Sequence, residues 1–170
     1  YDNEVDYFAV EVSGSGSLTV TMTQTTDGNR SFSYSVLNSS GEVLDTSSCY
    51  YCNGEEMSVG VGASGTYYVG VGSDYRYDAP VGTYTFTASY SDSTEGVEFE
   101  PNDSLATAQS ISLGETITGS LSSGYDNEVD YFAVEVSGSG SLTVTMTQTT
   151  DGNRSFSYSV LNSSGEVLDT

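Results

Sequence analysis

Two stretches of this chain are the same sequence: Tyr1 to Thr46 is identical to Tyr125 to Thr170, an offset of 124 positions. Whatever the chain folds into must house those 46 residues at two places. An offset of 124 is too long for a solenoid unit and is the size of an independent domain. The expected organisation is therefore tandem globular domains. Residues 1–93 read as one repeat lacking its N-terminal linker and first strand, 94–104 as an acidic inter-repeat linker, and 105–170 as the N-terminal part of the next repeat. Nothing at Tyr1 or Thr170 resembles a natural end, so we expect a longer array. Identity between copies favours a role in which repetition itself is useful, such as length, avidity or a filament. A duplicated active site gains little.

The secondary-structure signal has period two. In "LTVTMTQT", Leu18, Val20 and Met22 share one face and Thr19, Thr21 and Thr23 the other. "SFSYSVLN" directs Phe32, Tyr34 and Val36 inward, and "TYTFTASY" does the same with Tyr84, Phe86, Ala88 and Tyr90. Further strands are expected over 5–12, 42–47, 57–62, 66–72 and 116–121. Glycine- and serine-rich separators at 13–17, 26–30, 39–41 and 63–65 supply the turns. Only 103–111 has room for a helical turn. The fold class that follows is all-β, an antiparallel β-sandwich or jelly roll.

Twenty-four Asp and Glu stand against three Arg and no Lys, a net charge of −21. Such a surface repels nucleic acid and anionic membranes, stays soluble at high ionic strength and attracts divalent cations. No apolar run is long enough to insert in a membrane as a helix. With no His, the usual general base and the commonest zinc ligand are missing, and no enzymatic activity is expected. Cys49 and Cys52 form a CxxC in "SCYYCNG", placed in a loop of a β domain rather than at a helix start. We expect a structural disulfide, and with it an oxidising, extracellular setting.

The richest chemistry runs from Glu98 to Asp130. "EFEPNDS" offers Glu98, Glu100, Asn102 and Asp103, and "GYDNEVDYF" offers Asp126, Asn127, Glu128 and Asp130. Alternation along an extended segment puts Glu98, Glu100 and Asn102 on one side. Converging carboxylates repel unless a cation sits among them. Hard oxygen ligands on loops suit Ca²⁺, with its six to eight oxygens, better than Mg²⁺. Solvated linker acids are the competing account of the same residues.

"EPNDSLATAQSISLGETITGSLSSGYDNEVDYFAVEV" resembles the start of the bacterial pre-peptidase C-terminal domain, a secreted β-sandwich module, and is similar to the related collagen-binding domains of clostridial collagenases. "VLNSSGEVL" resembles that family's hairpin, and "GTYYVGV" and "GTYTFTASY" its closing strands. The resemblance implies a jelly roll of bacterial, extracellular or cell-surface origin that binds Ca²⁺ where linker meets domain. By position it carries the linker-side ligands onto Glu98, Glu100, Asn102 and Asp103, and the strand-entry ligand onto Asp130. The remaining place falls to Asp126 or Asn127, of which Asp126 is preferred for its charge. In the first copy, Asp2 and Asp6 form a half-site with no linker acids before them.

The leading functional expectation is a non-enzymatic structural array, a filament, stalk or adhesin shaft stiffened by Ca²⁺ and contacting copies of itself, including by strand addition from the segment 98–121. The alternative is an accessory domain that holds a secreted hydrolase on collagen or polysaccharide, using Tyr50, Tyr51, Tyr67, Tyr68, Tyr75 and Tyr77 as an aromatic surface. A remoter reading takes the outward threonines as an ice-binding face. Asn29, Asn38 and Asn102 open formal glycosylation sequons.

Overall fold

The structure, a computed structural model, describes residues 5–24, 31–73, 83–92, 96–121, 129–148 and 156–170. Seven long strands build the first of two units, Tyr1–Val134. They are β1 (Val5–Val12), β2 (Gly16–Gln24), β3 (Ser31–Leu37), β4 (Val43–Tyr50), β5 (Asn53–Val61), β6 (Gly65–Ser73) and β7 (Tyr84–Asp92). One sheet has the order β1-β6-β3-β4 and the other β5-β2-β7, with every pairing among these seven antiparallel. All-β antiparallel architecture thus follows from the period-two pattern, and no helix forms among the described residues.

The core is drawn from the inward rows of both sheets. Leu18, Val20 and Met22 of β2 meet Phe32, Tyr34 and Val36 of β3 and Val69 and Val71 of β6, with Met57, Val59 and Val61 from β5. Tyr84, Phe86, Ala88 and Tyr90 of β7 pack at its margin, half-buried because β7 is a sheet edge. At that margin Phe8 lies 4.9 Å from Phe86 and 6.4 Å from Tyr84 between ring centroids, while Tyr84 also stacks edge-on against Phe32 at 5.5 Å. The Cys49–Cys52 disulfide closes the corner where the chain leaves β4 in one sheet and enters β5 in the other. Both cysteines are buried, and the carbonyl of Cys52 accepts the Gln24 amide at 2.8 Å.

The outward rows are polar, as expected. Register sets Thr21 opposite Thr87 and Thr23 opposite Thr85, and the Thr19 hydroxyl lies 2.6 Å from that of Ser58.

The remaining elements are short. β8 (Gln109–Ile111) pairs in parallel with β9 (Phe132–Val134), still within the first unit. Two expectations are corrected here. The segment 103–111 forms a single turn, with the Thr107 amide donating to the Ser104 carbonyl at 3.0 Å, and then strand β8 rather than helix. The segment 116–121 is not a strand but makes one bridge, Val97 to Thr118, and its Gly119 lies against the Glu98 carboxylate instead of in a ladder.

The second unit, Glu135–Thr170, holds β10 (Val160–Leu161) and β11 (Val167–Asp169), a short antiparallel pair. Its sequence equals that of 11–46, yet Leu142, Val144 and Met146 are 41%, 46% and 49% exposed where Leu18, Val20 and Met22 are at 0%. The cause is the partner set. Strands β5, β6 and β7 cover the first copy, and within residues 1–170 the repeat runs past its 46th residue only there.

One local feature is the same in both copies. Asn38 Oδ1 accepts from the Ser40 amide at 3.0 Å, the Ser40 hydroxyl at 2.7 Å and the Glu42 amide at 3.0 Å. Asn162 Oδ1 accepts from Ser164 and Glu166 at the same three distances. Asn-Ser-Ser-Gly closes its own turn through side chain to backbone bonds, so it forms with or without a sandwich around it.

Candidate metal centre

The linker leaves β7 and runs back along the end of β5. The Glu100 amide donates to the Gly60 carbonyl at 3.2 Å, and Glu100 bridges Val61 in parallel. This approach needs a residue without a side chain at position 60, since a Cβ on Gly60 would collide with the carbonyl of Glu98. The linker then closes on itself. Glu98 donates to the Thr118 carbonyl at 3.2 Å, and Thr118 donates to that of Gly96 at 2.8 Å. Gln109 fastens the same stretch with its side chain, accepting from the Phe99 amide at 2.7 Å and donating to the Val97 carbonyl at 2.9 Å.

Onward, the linker is tied to the second sequence copy. Tyr131 donates its amide to the Asn102 carbonyl at 3.0 Å and accepts that of Gln109 at 2.9 Å. Asp130, directly before it, is thereby held against the linker acids.

Carboxylate oxygens of Glu98, Glu100 and Asp130 all lie within 4.8 Å of one another. At that separation each like-charged pair repels by roughly 3–4 kcal/mol at an effective dielectric constant of about 20. Glu98 is buried at 6% exposure, the other two half-buried. Part of the cost is met by hydrogen bonds: Glu98 Oε1 accepts from Asn102 Nδ2 at 3.1 Å, Glu98 Oε2 from the Ser120 amide at 2.8 Å, and Glu100 Oε2 from the Asn102 amide at 3.1 Å. Asn102 itself is completely buried, and its Oδ1 has no hydrogen-bond partner. A buried amide oxygen left unsatisfied costs about 1–3 kcal/mol. Glu98 and Glu100 also line a cavity of about 20 Å³, room for one water, whose other walls are Leu44, Asp45, Ser58, Val59, Gly60 and Ser120, with Asp130 and Asn102 outside it. Every ligand atom on offer is a hard oxygen, the set that suits Ca²⁺.

The expected residues fall into three groups. Glu98, Glu100 and Asp130 come together, with Asn102 bonded to both glutamates. Asp103 is exposed and stands apart from the converging carboxylates. Asp126 and Asn127 lie outside the described residues, as does Asp2; Asp6, the counterpart of Asp130, accepts the Tyr84 hydroxyl on Oδ2 at 2.8 Å.

Sequence reasoning missed Gly60, Gly119 and Gln109. A Cβ on Gly119 would run into the Glu98 carboxylate, and a glycine inside the expected strand 116–121 was the available signal for close approach. For Gln109 the sequence carried no signal. Cys49, Cys52 and Glu55 also cluster, but with the sulfurs bonded to each other no thiolate ligand exists there. Of the tyrosines expected on a surface, Tyr67 is buried and donates to the Ala63 carbonyl at 3.1 Å, Tyr68 is half-buried and Tyr51 is 49% exposed. Tyr75, Tyr77 and the side chain of Tyr50 lie outside the described residues.

Comparison with protein-family models and with curated proteins finds no match to this chain.

Proposed function

We propose that this chain is part of a secreted, non-enzymatic array of tandem β-sandwiches, in which Ca²⁺ held by Glu98, Glu100, Asp130 and Asn102 stiffens the junction between successive copies. The observation that carries the reading is the buried, unpartnered Oδ1 of Asn102 beside three converging carboxylates. A cation answers both anomalies at once, supplying the amide oxygen with a partner and the carboxylates with a counter-charge. Loops contribute the ligands, and the linker is bonded on one side to Gly60 of the first copy and on the other to Tyr131 of the second. An ion there orders both attachments together, and bending freedom at the joint is lost when it binds. A filament, stalk or adhesin shaft at a bacterial surface is the use such a joint serves, and the resemblance to pre-peptidase C-terminal domains agrees with it. The accessory-domain reading has less behind it, since of its described tyrosines only Tyr51 is substantially exposed.

The test is thermal unfolding of the chain in Ca²⁺ and in chelator. At an ion concentration one hundred times the dissociation constant, binding stabilises by about 2.7 kcal/mol. The midpoint is expected to rise in Ca²⁺ and the rise to vanish in the double variant Glu98→Gln, Glu100→Gln. An unchanged midpoint in the parent chain removes the calcium joint.

A further inference from the structure

The corner that joins β4 to β5 brings sulfur and carboxylate together. Sγ of Cys49, Sγ of Cys52 and a carboxylate oxygen of Glu55 all lie within 4.8 Å of one another. The chain turns tightly to achieve this, with Tyr51 and Gly54 in the left-handed region at φ 68° and 88°. The Asn53 amide donates to Glu55 Oε2, which holds the carboxylate at the turn. Both cysteines belong to the buried core and Glu55 is exposed, so the cluster is closed on its apolar side and open to solvent on the other. Opening the disulfide changes this donor set without dispersing it, because the backbone on either side is fastened independently of the sulfurs. Cys49 is paired with Phe32 of β3, Asn53 with Thr23 of β2, and the Cys52 carbonyl accepts the Gln24 amide at 2.8 Å.

The geometry points to a metal site at this corner, in which the reduced chain binds one Zn²⁺ through the thiolates of Cys49 and Cys52 and the carboxylate of Glu55. Two residues between the cysteines is the spacing that lets one loop place two sulfurs on a zinc ion. Three protein ligands leave the fourth tetrahedral position to water, on the side where Glu55 meets solvent. Soft thiolates separate this site from the oxygens of Glu98, Glu100 and Asp130, since they select Zn²⁺ over Ca²⁺. The chemistry balances. A thiol or phosphine reductant supplies two electrons, two protons enter to give two thiols, and Zn²⁺ displaces both protons as it binds. Disulfide and zinc are then alternative clasps for one corner, the first for an oxidising medium and the second for a reducing one.

The probe is Co²⁺, which occupies tetrahedral zinc sites and reports thiolate ligands by charge-transfer absorption. The intact chain is reduced with a water-soluble phosphine, which leaves as its oxide, and titrated without air, first with Co²⁺ and then with Zn²⁺. Thiolate-to-cobalt absorption is expected to saturate at one Co²⁺ per chain, to be bleached by Zn²⁺, to persist in millimolar Ca²⁺ and to be absent from the oxidised chain. Glu55→Gln, at an exposed position, is expected to weaken Co²⁺ binding about tenfold or more, since even groups that only support a metal ligand are worth that much. The double variant Glu98→Gln, Glu100→Gln is expected to leave it unchanged. No thiolate absorption in the reduced chain, a disulfide that the phosphine does not open, or saturation at one Co²⁺ per two chains overturns the site. Undiminished affinity in Glu55→Gln overturns the three-ligand assignment.

Discussion

Leucine at position 18 and leucine at position 142 occupy the same place in identical sequences, and replacing each by alanine isolates what the surrounding strands contribute. Leu18 is fully buried between the sheets, against β5 and β7 neighbours such as Val59 and Tyr90 across its register pairs. Removing its side chain leaves a cavity, and buried leucine to alanine changes cost about 2–5 kcal/mol. For a domain of this size, each kcal/mol corresponds to roughly 4 °C in the midpoint, so Leu18→Ala is expected to lower it by about 8–20 °C. Leu142 is 41% exposed, and its replacement falls in the range of surface changes, below about 1 kcal/mol and a few degrees. The assay is thermal unfolding followed by tyrosine fluorescence and circular dichroism, since the chain has 14 Tyr and no Trp. In a chain of residues 1–170, equal losses from the two variants would mean that both copies are covered alike there, and would refute the burial difference between Leu18 and Leu142.

Gly119→Ala drives a methyl group into the Glu98 carboxylate, a flexible side-chain end; the midpoint in chelator is expected to change by only a few degrees while the Ca²⁺-dependent rise is lost, read by paired thermal scans. Gly60→Ala collides instead with the backbone of Glu98 and is expected to lower the midpoint in chelator as well. Joint replacement of Cys49 and Cys52 by serine opens a loop of sequence separation 3, for which chain entropy allows about 2 kcal/mol, and buries two hydroxyls in the core, so denaturant titration is expected to show a loss of about 2 kcal/mol or more.

The fold was legible in sequence wherever a residue's environment is set by its own strand. β1 begins and ends where alternation placed it, and the inward rows of β2 and β3 are buried residue for residue. What alternation does not carry is the partner. Nothing in the sequence distinguishes Val20 from Val144, yet one is at 0% exposure and the other at 46%. The turn at Asn38 and Asn162 marks the opposite limit, since a motif that satisfies its own backbone within five residues comes out the same in either setting. Between those limits fall the short elements near the linker. β8 is three residues long and exists because Phe132–Val134 offers it an edge, a long-range fact invisible at Gln109 itself.

The candidate site divides along the same line. Glu98, Glu100 and Asn102 were found because they lie on one extended segment, where spacing alone puts side chains together. Asp130 is 30 positions beyond Glu100, and it reaches the site because Tyr131 is bonded to both Asn102 and Gln109. Those two bonds also explain why the site sits at the joint rather than on a sheet face. Each is a main-chain contact between the linker and the first strand of the second copy, so the acids converge only when the linker has docked on that strand. The converse follows from Coulomb's law. With three carboxylates within 4.8 Å, docking in the absence of a counter-ion works against their repulsion, and a cation that removes the repulsion favours the docked joint by the same amount. Under the calcium joint proposed above, ion binding and closure of the linker onto that strand are one equilibrium.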